Sequence, residues 1–184
     1  FTGLVGKGVQ LLRELEPSVD PVGVLWNPGN RVFQAQMLDE IKASARQLGV
    51  RLQLFEAGGV ESLETAFAAM SKQRVQAVSV LPDPVFAAHW ARIAALAAKA
   101  GLPTVTDSGS YSDAGGLMAY GPSLADLARA SAGYVAKILK GANPGELPIE
   151  RPTKFELVVN LKTAKDIGIM IPQPLRLRAD RLIE

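Results

Sequence analysis

The residues best suited to recognise a ligand come directly after runs that are predicted to form strands. They are amides, carboxylates, hydroxyls and an aromatic ring: Asn27, Asn30, Glu56, Asp83, Asp107, Ser108, Ser110, Tyr111 and Asp113. Carboxylates suit an ammonium group, and the N–H groups at a helix N-terminus suit a carboxylate. This set of side chains therefore predicts a site for a small zwitterion rather than a catalytic centre.

The same residues have simpler structural interpretations. Asp83 comes directly before Pro84, a pairing that is favoured at helix starts, so its carboxylate is predicted first as a helix N-cap. Asn27 and Asn30 bracket an Asn-Pro-Gly-Asn segment and are ordinary turn residues. A capping role and a binding role for Asp83 are compatible if the carboxylate is shared between them.

Signals for catalysis or for bound cofactors are weak. The single histidine, His89, has no serine or cysteine nucleophile motif beside it. The glycine-rich run from Gly3 to Gly8 lacks the spacing and the hydroxyl of a phosphate loop. Asp107 and Asp113 could share a metal ion, but no third ligand accompanies them. We therefore expect a non-enzymatic protein with no cofactor and no metal.

Composition narrows the class of protein further. The chain has 184 residues, a net charge of +2, 48% apolar residues and no cysteine. Its basic residues are dispersed, which argues against a nucleic-acid surface. No apolar run approaches the roughly 20 residues that a membrane-spanning helix needs. The length fits one domain, or one and a fraction.

The elements that must position the polar residues follow an alternating order. Apolar runs recur about 25–30 residues apart, the length of a strand–helix–strand unit. The predicted strands are 22–26, 51–55, 76–81, 102–106 and 116–120; the predicted helices are 8–15, 31–48, 61–73, 84–100 and 124–140. Strands that are apolar throughout are typical of parallel strands covered on both faces. The fold class is therefore α/β with a doubly wound parallel sheet, and its ligand site should lie at the carboxyl ends of the strands.

Two predicted helices carry apolar side chains that other elements must cover. Helix 31–48 is expected to turn one set of apolar side chains inward: Phe33, Met37, Ile41, Ala45 and Leu48. Helix 124–140 carries an apolar stripe that no other predicted element covers: Leu127, Tyr134, Val135, Ile138 and Leu139. A proline-containing linker over 145–152 and an apolar strand over 155–161 follow it. The stripe therefore requires a partner surface.

The stretch from Ala114 to Pro172, AGGLMAYGPSLADLARASAGYVAKILKGANPGELPIERPTKFELVVNLKTAKDIGIMIP, strongly resembles the C-terminal part of the ABC transporter substrate-binding protein family. The branch it resembles includes the tryptophan/tyrosine-type binding proteins. The segments VGVLWNPGN and VLPDPVF are similar to earlier landmarks of the same family, so the resemblance covers essentially the whole chain. It implies a periplasmic-binding-protein type I fold, in which two α/β lobes are joined by crossover strands and close on a ligand.

The resemblance also implies a division of the chain. Residues 1–120 would form one α/β lobe, 121–150 a crossover helix of the other lobe with a hinge linker, and 151–184 a return strand with C-terminal helices on the first lobe. Strand 155–161 would join the edge of that lobe's sheet, and Phe1 would lie near a first crossover. Most of an N-terminal lobe would then be missing. Helix 124–140 would pack against a neighbouring copy or swap between chains, which light scattering can test.

The function implied by the resemblance is that of the solute-binding component of an ABC importer. Such a protein would be periplasmic or lipid-anchored, would dock on a transporter permease, and would bind an amino acid, aromatic ones included, without catalysis. We predict the ligand-binding residues from their positions at the rim of the sheet, where the strands have their carboxyl ends, and at the hinge. They are Asn27, Asn30, Asp83, Asp107, Ser108 and Tyr120. The alternatives are a ligand-sensing regulatory domain of the same fold, or a doubly wound α/β enzyme that uses Asp83 and Asp107 as its acid/base pair.

Overall fold

The computed structural model describes residues 3–152 and 154–184, so the crossover expected at Phe1 lies outside the described residues. The strands are β1 (Val22–Trp26), β2 (Leu52–Glu56), β3 (Ala77–Val80), β4 (Thr104–Thr106), β5 (Met118–Pro122), β6 (Phe155–Asn160) and β7 (Arg181–Ile183). The helices are α1 (Leu4–Leu15), α2 (Arg31–Leu48), α3 (Val60–Lys72), α4 (Pro84–Ala87), α5 (Trp90–Lys99), α6 (Gly109–Asp113), α7 (Leu124–Leu139), α8 (Leu161–Asp166) and α9 (Gln173–Arg178).

The described strands form a seven-stranded sheet in the order β2-β1-β3-β4-β5-β6-β7. The pairs from β2 to β5 are parallel, β6 runs antiparallel to β5, and β7 is parallel to β6. The doubly wound α/β prediction is confirmed, and the direction of winding reverses between β1 and β3. In such sheets a ligand cleft forms outside the carboxyl ends of the strands at that reversal.

The end of the sheet differs from the expectation for strand 155–161. Strand β6 joins the sheet beside β5, but β7 pairs with its other side, so β7 and not β6 is the edge strand. The three residues of β7 are exposed or half-buried and include Arg181, so they lack the apolar pattern of the buried strands. Local sequence therefore gave no signal for β7, which depends on pairing with β6.

Two apolar cores lie on the two faces of the sheet. Helices α1 and α2 cover one face, where Leu11 and Ile41 are among the buried side chains. Helices α3 and α5 cover the other, around Leu63 and Ile93. Every residue of β1, β3 and β4 is buried, as expected for central parallel strands. These strands form a rigid platform for the loops at their carboxyl ends.

The inward face of α2 was predicted wrongly at its first turn. Gln34, Leu38, Ile41 and Ala45 are the buried residues, whereas Phe33 is 51% exposed. The helix is rotated so that Gln34 reaches polar partners at the ends of β1 and β3. Hydrogen bonds there compensate for burying an amide, and the aromatic ring is left facing outward.

The segment after β4, which was expected to be a loop, contains the short helix α6. Its Tyr111 is fully buried, hydrogen-bonded to Thr104 Oγ1 at 2.6 Å and in an edge-to-face contact with Trp90, with ring centroids 5.2 Å apart. Burial raises the pKa of the Tyr111 hydroxyl above its ordinary value. Tyr111 therefore belongs to the core and anchors α6, rather than contributing a polar group to the rim.

Helix α7 has no buried residue, although it is sixteen residues long and carries the predicted apolar stripe. Leu139 is 82% exposed, and Val135 and Ile138 are exposed as well. The linker contacts α7 through the Tyr134 hydroxyl, which donates to the carbonyl oxygen of Pro148. In the described part of the chain, no helix combines the length and the apolar character needed to cross a bilayer.

Candidate functional site

The reversal in strand order brings Asn27 and Asp83 into direct contact. Asn27 directly follows β1, and Asp83 lies three residues past the end of β3. Both side chains are buried, and Asn27 Nδ2 donates to Asp83 Oδ1 at 3.0 Å. Residues 56 positions apart in the sequence are thus joined at the point where this fold type forms a ligand cleft.

Asp83 is the hub of a hydrogen-bond network. Its Oδ1 accepts from Asn27 and from the backbone N–H of Val85 at 2.9 Å, so the predicted N-cap on α4 is confirmed. Its Oδ2 accepts from Asn30 Nδ2 at 2.9 Å and from Gln34 Nε2 at 3.1 Å. A carboxylate offers about four lone-pair sites, and protein donors occupy all of them here.

Gln34, which the sequence interpretation missed, links the two turns of this network. Its Oε1 accepts from the backbone N–H of Asn27 at 2.8 Å, and its Nε2 also donates to the carbonyl oxygen of Pro82 at 3.1 Å. The side chain is fully buried. The available signal was its spacing from Leu38 and Ile41, which places a polar residue on the apolar face of α2.

A cavity of about 600 Å³ opens beside the hub. Four of the six predicted ligand-binding residues line it: Asn30, Asp83, Asp107 and Ser108. The rest of its wall is mainly apolar and comes from α2, the loop before α4, α4 itself, α5, the end of β5 and the start of α7: Phe33, Pro82, Pro84, Ala87, Trp90, Pro122 and Leu124. A cavity of this size suits a small organic ligand.

The other two predicted residues do not line this cavity. The Asn27 side chain is hydrogen-bonded to Asp83, and its Oδ1 accepts from the backbone N–H of Gly29 at 2.9 Å. Tyr120 borders a much smaller gap that it shares with Asp107. The Tyr120 ring stacks on Phe155 across the β5–β6 pair, with centroids 6.0 Å apart and planes 22° from parallel. These contacts support the turn after β1 and the β5–β6 pair.

Asp107 differs from Asp83 in how few donors reach its carboxylate. Among side chains, Thr106 Oγ1 donates to Asp107 Oδ1 at 3.2 Å. Within residues 3–152 and 154–184, no basic group forms an ion pair with Asp107. Burial raises the pKa of the Asp107 carboxyl, and the Thr106 hydrogen bond opposes this only in part.

A close backbone contact fixes the position of Asp107. Gly121 of β5 passes so near that an added Cβ atom would lie 1.6 Å from the carbonyl oxygen of Asp107. No side chain fits there, so β5 and the turn after β4 can approach this closely only with glycine. Nearby, Arg181 of β7 forms an ion pair with Asp113 of α6, with Nη2 and Oδ2 3.1 Å apart.

The carboxylate of Asp113 is thus paired with Arg181 of β7. In the described ranges, no group of three or more histidine, cysteine or acidic side chains is placed to hold a metal ion.

We expect Asp107→Asn to raise the melting temperature at pH 7. Because its pKa is raised on folding, Asp107 holds its proton more tightly in the folded state than in the unfolded state. Ionisation of Asp107 therefore destabilises the fold, and this penalty grows as the pH rises from the unfolded-state pKa to the folded-state pKa. The asparagine variant removes this penalty, so its advantage over wild type should shrink as the pH falls from 7 toward about 4, the ordinary pKa of aspartate, and should be absent below it. Differential scanning calorimetry at several pH values measures this, and an advantage that does not change with pH would contradict it.

The sequence and the structure were compared with those of known proteins. The family described as ABC transporter substrate binding protein matches residues 2–183. The fold is similar to that of a conserved domain protein from Vibrio cholerae O1 biovar eltor, with a TM-score of 0.86 and 28% identity over 97% of this chain and 60% of that one. No curated protein matches the sequence significantly.

Two further solved structures are similar in fold. One is described as the ABC domain in complex with L-Trp from Streptococcus pneumonia, with a TM-score of 0.84 and 24% identity over 97% of this chain and 62% of that one. The other is the ligand-free, open structure of a substrate binding protein with adhesive properties from Clostridium difficile, with a TM-score of 0.73 and 18% identity over 98% of this chain and 60% of that one. The present chain thus spans about three-fifths of the length of these proteins.

Proposed function

The chain belongs to the ABC transporter substrate-binding protein family, and from this premise we propose that it binds an amino acid, aromatic ones included, in the cavity beside Asp83. The observation that carries the proposal is the composition of that cavity. Polar groups at the strand ends face an apolar wall that includes the exposed ring of Phe33 and the indole of Trp90. Binding sites for small molecules combine an apolar lining with a few convergent polar groups in this way.

The apolar wall favours an aromatic or large aliphatic side chain on the ligand. Phe33 is 51% exposed and lines the cavity, so its ring is accessible to a ligand there. The similar fold from Streptococcus pneumonia is described in complex with L-Trp, which supports an aromatic ligand by analogy of fold. The ring of such a ligand would cover Phe33 and be removed from water.

A second lobe would complete the site. We propose that residues 121–150 cross to that lobe, that residues 3–120 and the return segment 151–184 form the lobe described here, and that closure between the lobes buries the ligand. The exposed stripe of α7 and the relatives' greater length support this. In this 184-residue chain alone, the stripe would instead favour association with another copy or a swap of α7.

The proposed cellular role follows from the family. The protein would deliver its ligand to an ABC transporter permease for import, and would be extracytoplasmic, either periplasmic or lipid-anchored. The rival interpretation as an acid/base enzyme is weakened by the geometry of Asp83. Its four hydrogen bonds leave no lone pair for proton exchange with a substrate.

A thermal-shift screen against the amino acids tests the proposal. A ligand that binds only the folded state raises the melting temperature, by the equivalent of about 2.7 kcal/mol at a concentration a hundred times its dissociation constant. We expect aromatic amino acids to give the largest shift. Phe33→Ala should reduce that shift, whereas Val32→Ala should not, since Val32 is the neighbouring α2 residue, is 95% exposed and does not line the cavity.

The screen should include this chain and one extended upstream of Phe1. If no amino acid stabilises either protein, the proposed function is wrong. If Phe33→Ala and Val32→Ala reduce the shift equally, the cavity beside Asp83 is not the binding site.

A further inference from the structure

The charges that line the cavity are all negative in the part of the chain that the structure describes. Two carboxylates, Asp83 and Asp107, line it, and no lysine, arginine or histidine among the described residues does. The walls are otherwise apolar apart from the amide of Asn30 and the hydroxyl of Ser108. A cleft with this balance of charge attracts a cationic group and disfavours an anionic one.

The two carboxylates are not equally able to receive that cation. Asp83 already accepts hydrogen bonds from Asn27, Asn30, Gln34 and the backbone of Val85. A ligand ammonium at Asp83 would have to displace one of these donors, and the displaced group would lose its partner.

Asp107 accepts from one side chain, Thr106, through Oδ1, so its other oxygen has no side-chain donor within residues 3–152 and 154–184. Its own backbone N–H also donates to the carboxylate. With these two donors, against four at Asp83, the Asp107 carboxylate keeps lone pairs that can accept bonds from a ligand.

The surroundings of Asp107 also favour binding of a cationic group. The carboxylate is largely removed from water, which disfavours its charged form, and no basic side chain of the described residues offsets this. A cation placed beside it would stabilise the charged form. The close contact with Gly121 constrains the Asp107 backbone, so the carboxylate is carried on a well-positioned main chain.

We infer that Asp107, and not Asp83, is the residue that selects a ligand bearing a primary ammonium group. This inference rests on the proposed function and names the chemical class of its ligand: an ammonium carried on an apolar or aromatic body. The ammonium bonds to Asp107, and the body lies against Phe33 and Trp90. A carboxylate on the ligand is not required by the residues described here.

Two indole compounds of similar size separate these requirements. Tryptamine carries the ammonium without a carboxylate, and indole-3-propionate carries the carboxylate without the ammonium. Calorimetric titrations of both into the wild-type chain, and into Asp107→Asn, measure the role of the charge at position 107. Asp39→Asn is the matched control, because Asp39 is an exposed carboxylate on α2 that does not line the cavity.

We expect wild type to bind tryptamine at least about tenfold more tightly than indole-3-propionate, and Asp107→Asn to lose at least about tenfold for tryptamine, as for a lost charge-assisted hydrogen bond. Asp39→Asn should bind both probes as wild type does. Unfolding would not account for the loss, because Asp107→Asn is expected to be the more stable protein at pH 7, and its melting temperature shows whether it is.

Equal affinity of wild type for both probes, or unchanged tryptamine binding by Asp107→Asn, would overturn the assignment to Asp107. In either case binding of an aromatic compound would leave the proposed function standing. If neither probe nor any amino acid binds wild type, both the function and the inference fail.

Discussion

Gly121→Ala is expected to destabilise the protein by about 3 kcal/mol or more, the upper range for forcing extra atoms into a packed site. The new Cβ would lie 1.6 Å from the carbonyl oxygen of Asp107, and the obstacle is backbone rather than the end of a flexible side chain. Strand β5 and the turn after β4 would have to separate. Urea unfolding followed by circular dichroism measures the change, and tryptophan fluorescence would report on the surroundings of Trp26 and Trp90 together.

Gly133→Ala is the matched control for this substitution. Gly133 lies inside α7, where an added Cβ meets nothing within 4 Å. Alanine is favoured over glycine in a helix interior by about 0.5–1 kcal/mol, so this variant should be neutral or slightly more stable. If Gly121→Ala unfolds at the same urea concentration as Gly133→Ala, the close approach between β5 and Asp107 does not exist in solution.

Asp83→Ala is expected to cost about 3 kcal/mol, because it removes the acceptor of four hydrogen bonds at once. The Asn27 amide, which is buried, would lose its carboxylate partner, and α4 would lose its N-cap. Leaving buried donors unsatisfied costs about 1–3 kcal/mol, and networks around a charge exceed the sum of their pairs. Chemical denaturation measures the loss.

Asp39→Ala provides the comparison, since Asp39 is an exposed carboxylate on α2 and its removal should change stability by no more than about 0.5 kcal/mol. If both variants lose the same small amount, Asp83 does not organise the rim. A ligand that no longer binds Asp83→Ala would not prove contact with Asp83, because the turns after β1 and β3 would both have moved. Variants at Asp107 avoid this ambiguity.

The sequence predicted those parts of the fold that depend on local signals. The bounds of β1 and α2 match the expectation, since an apolar strand, an Asn-Pro-Gly-Asn turn and Gly49 delimit them. The capping role of Asp83 followed from its place before Pro84. In each case a few neighbouring residues determine the conformation.

Features that depend on distant partners were not predicted. Gln34 is buried because the ends of β1 and β3 supply its hydrogen bonds, and β7 is a strand because β6 lies beside it. Asn27 is seven positions from Gln34, but Pro82 and Asp83 are 48 and 49 positions away, and two helices separate β7 from β6. The inward assignment of Phe33 failed for the same reason, since the rotation of α2 is set by Gln34.

The sequence predicted which loops meet at the candidate site, but not which of their side chains face the cavity. Parallel strand order places the loops after β1, β3 and β4 on one rim, and four predicted residues meet at the cavity there. Strand order does not tell whether a polar side chain at the rim points toward solvent or toward another loop. The capping role of Asp83 is a local signal, but the occupation of its carboxylate by Asn27, Asn30 and Gln34 depends on contacts between loops that strand order does not determine.

The antiparallel pairing of β5 with β6 makes the segment between them a removable insertion. Pro122 and Phe155 face each other in this pairing, so the chain returns to within one strand spacing of the point where it left. A tight Asn-Gly turn joins antiparallel strands across such a gap. Replacing the segment between β5 and β6 with that turn would convert the two strands into a hairpin. The resulting shorter protein would be a minimal scaffold in which the rim could be re-engineered as an autonomous receptor module.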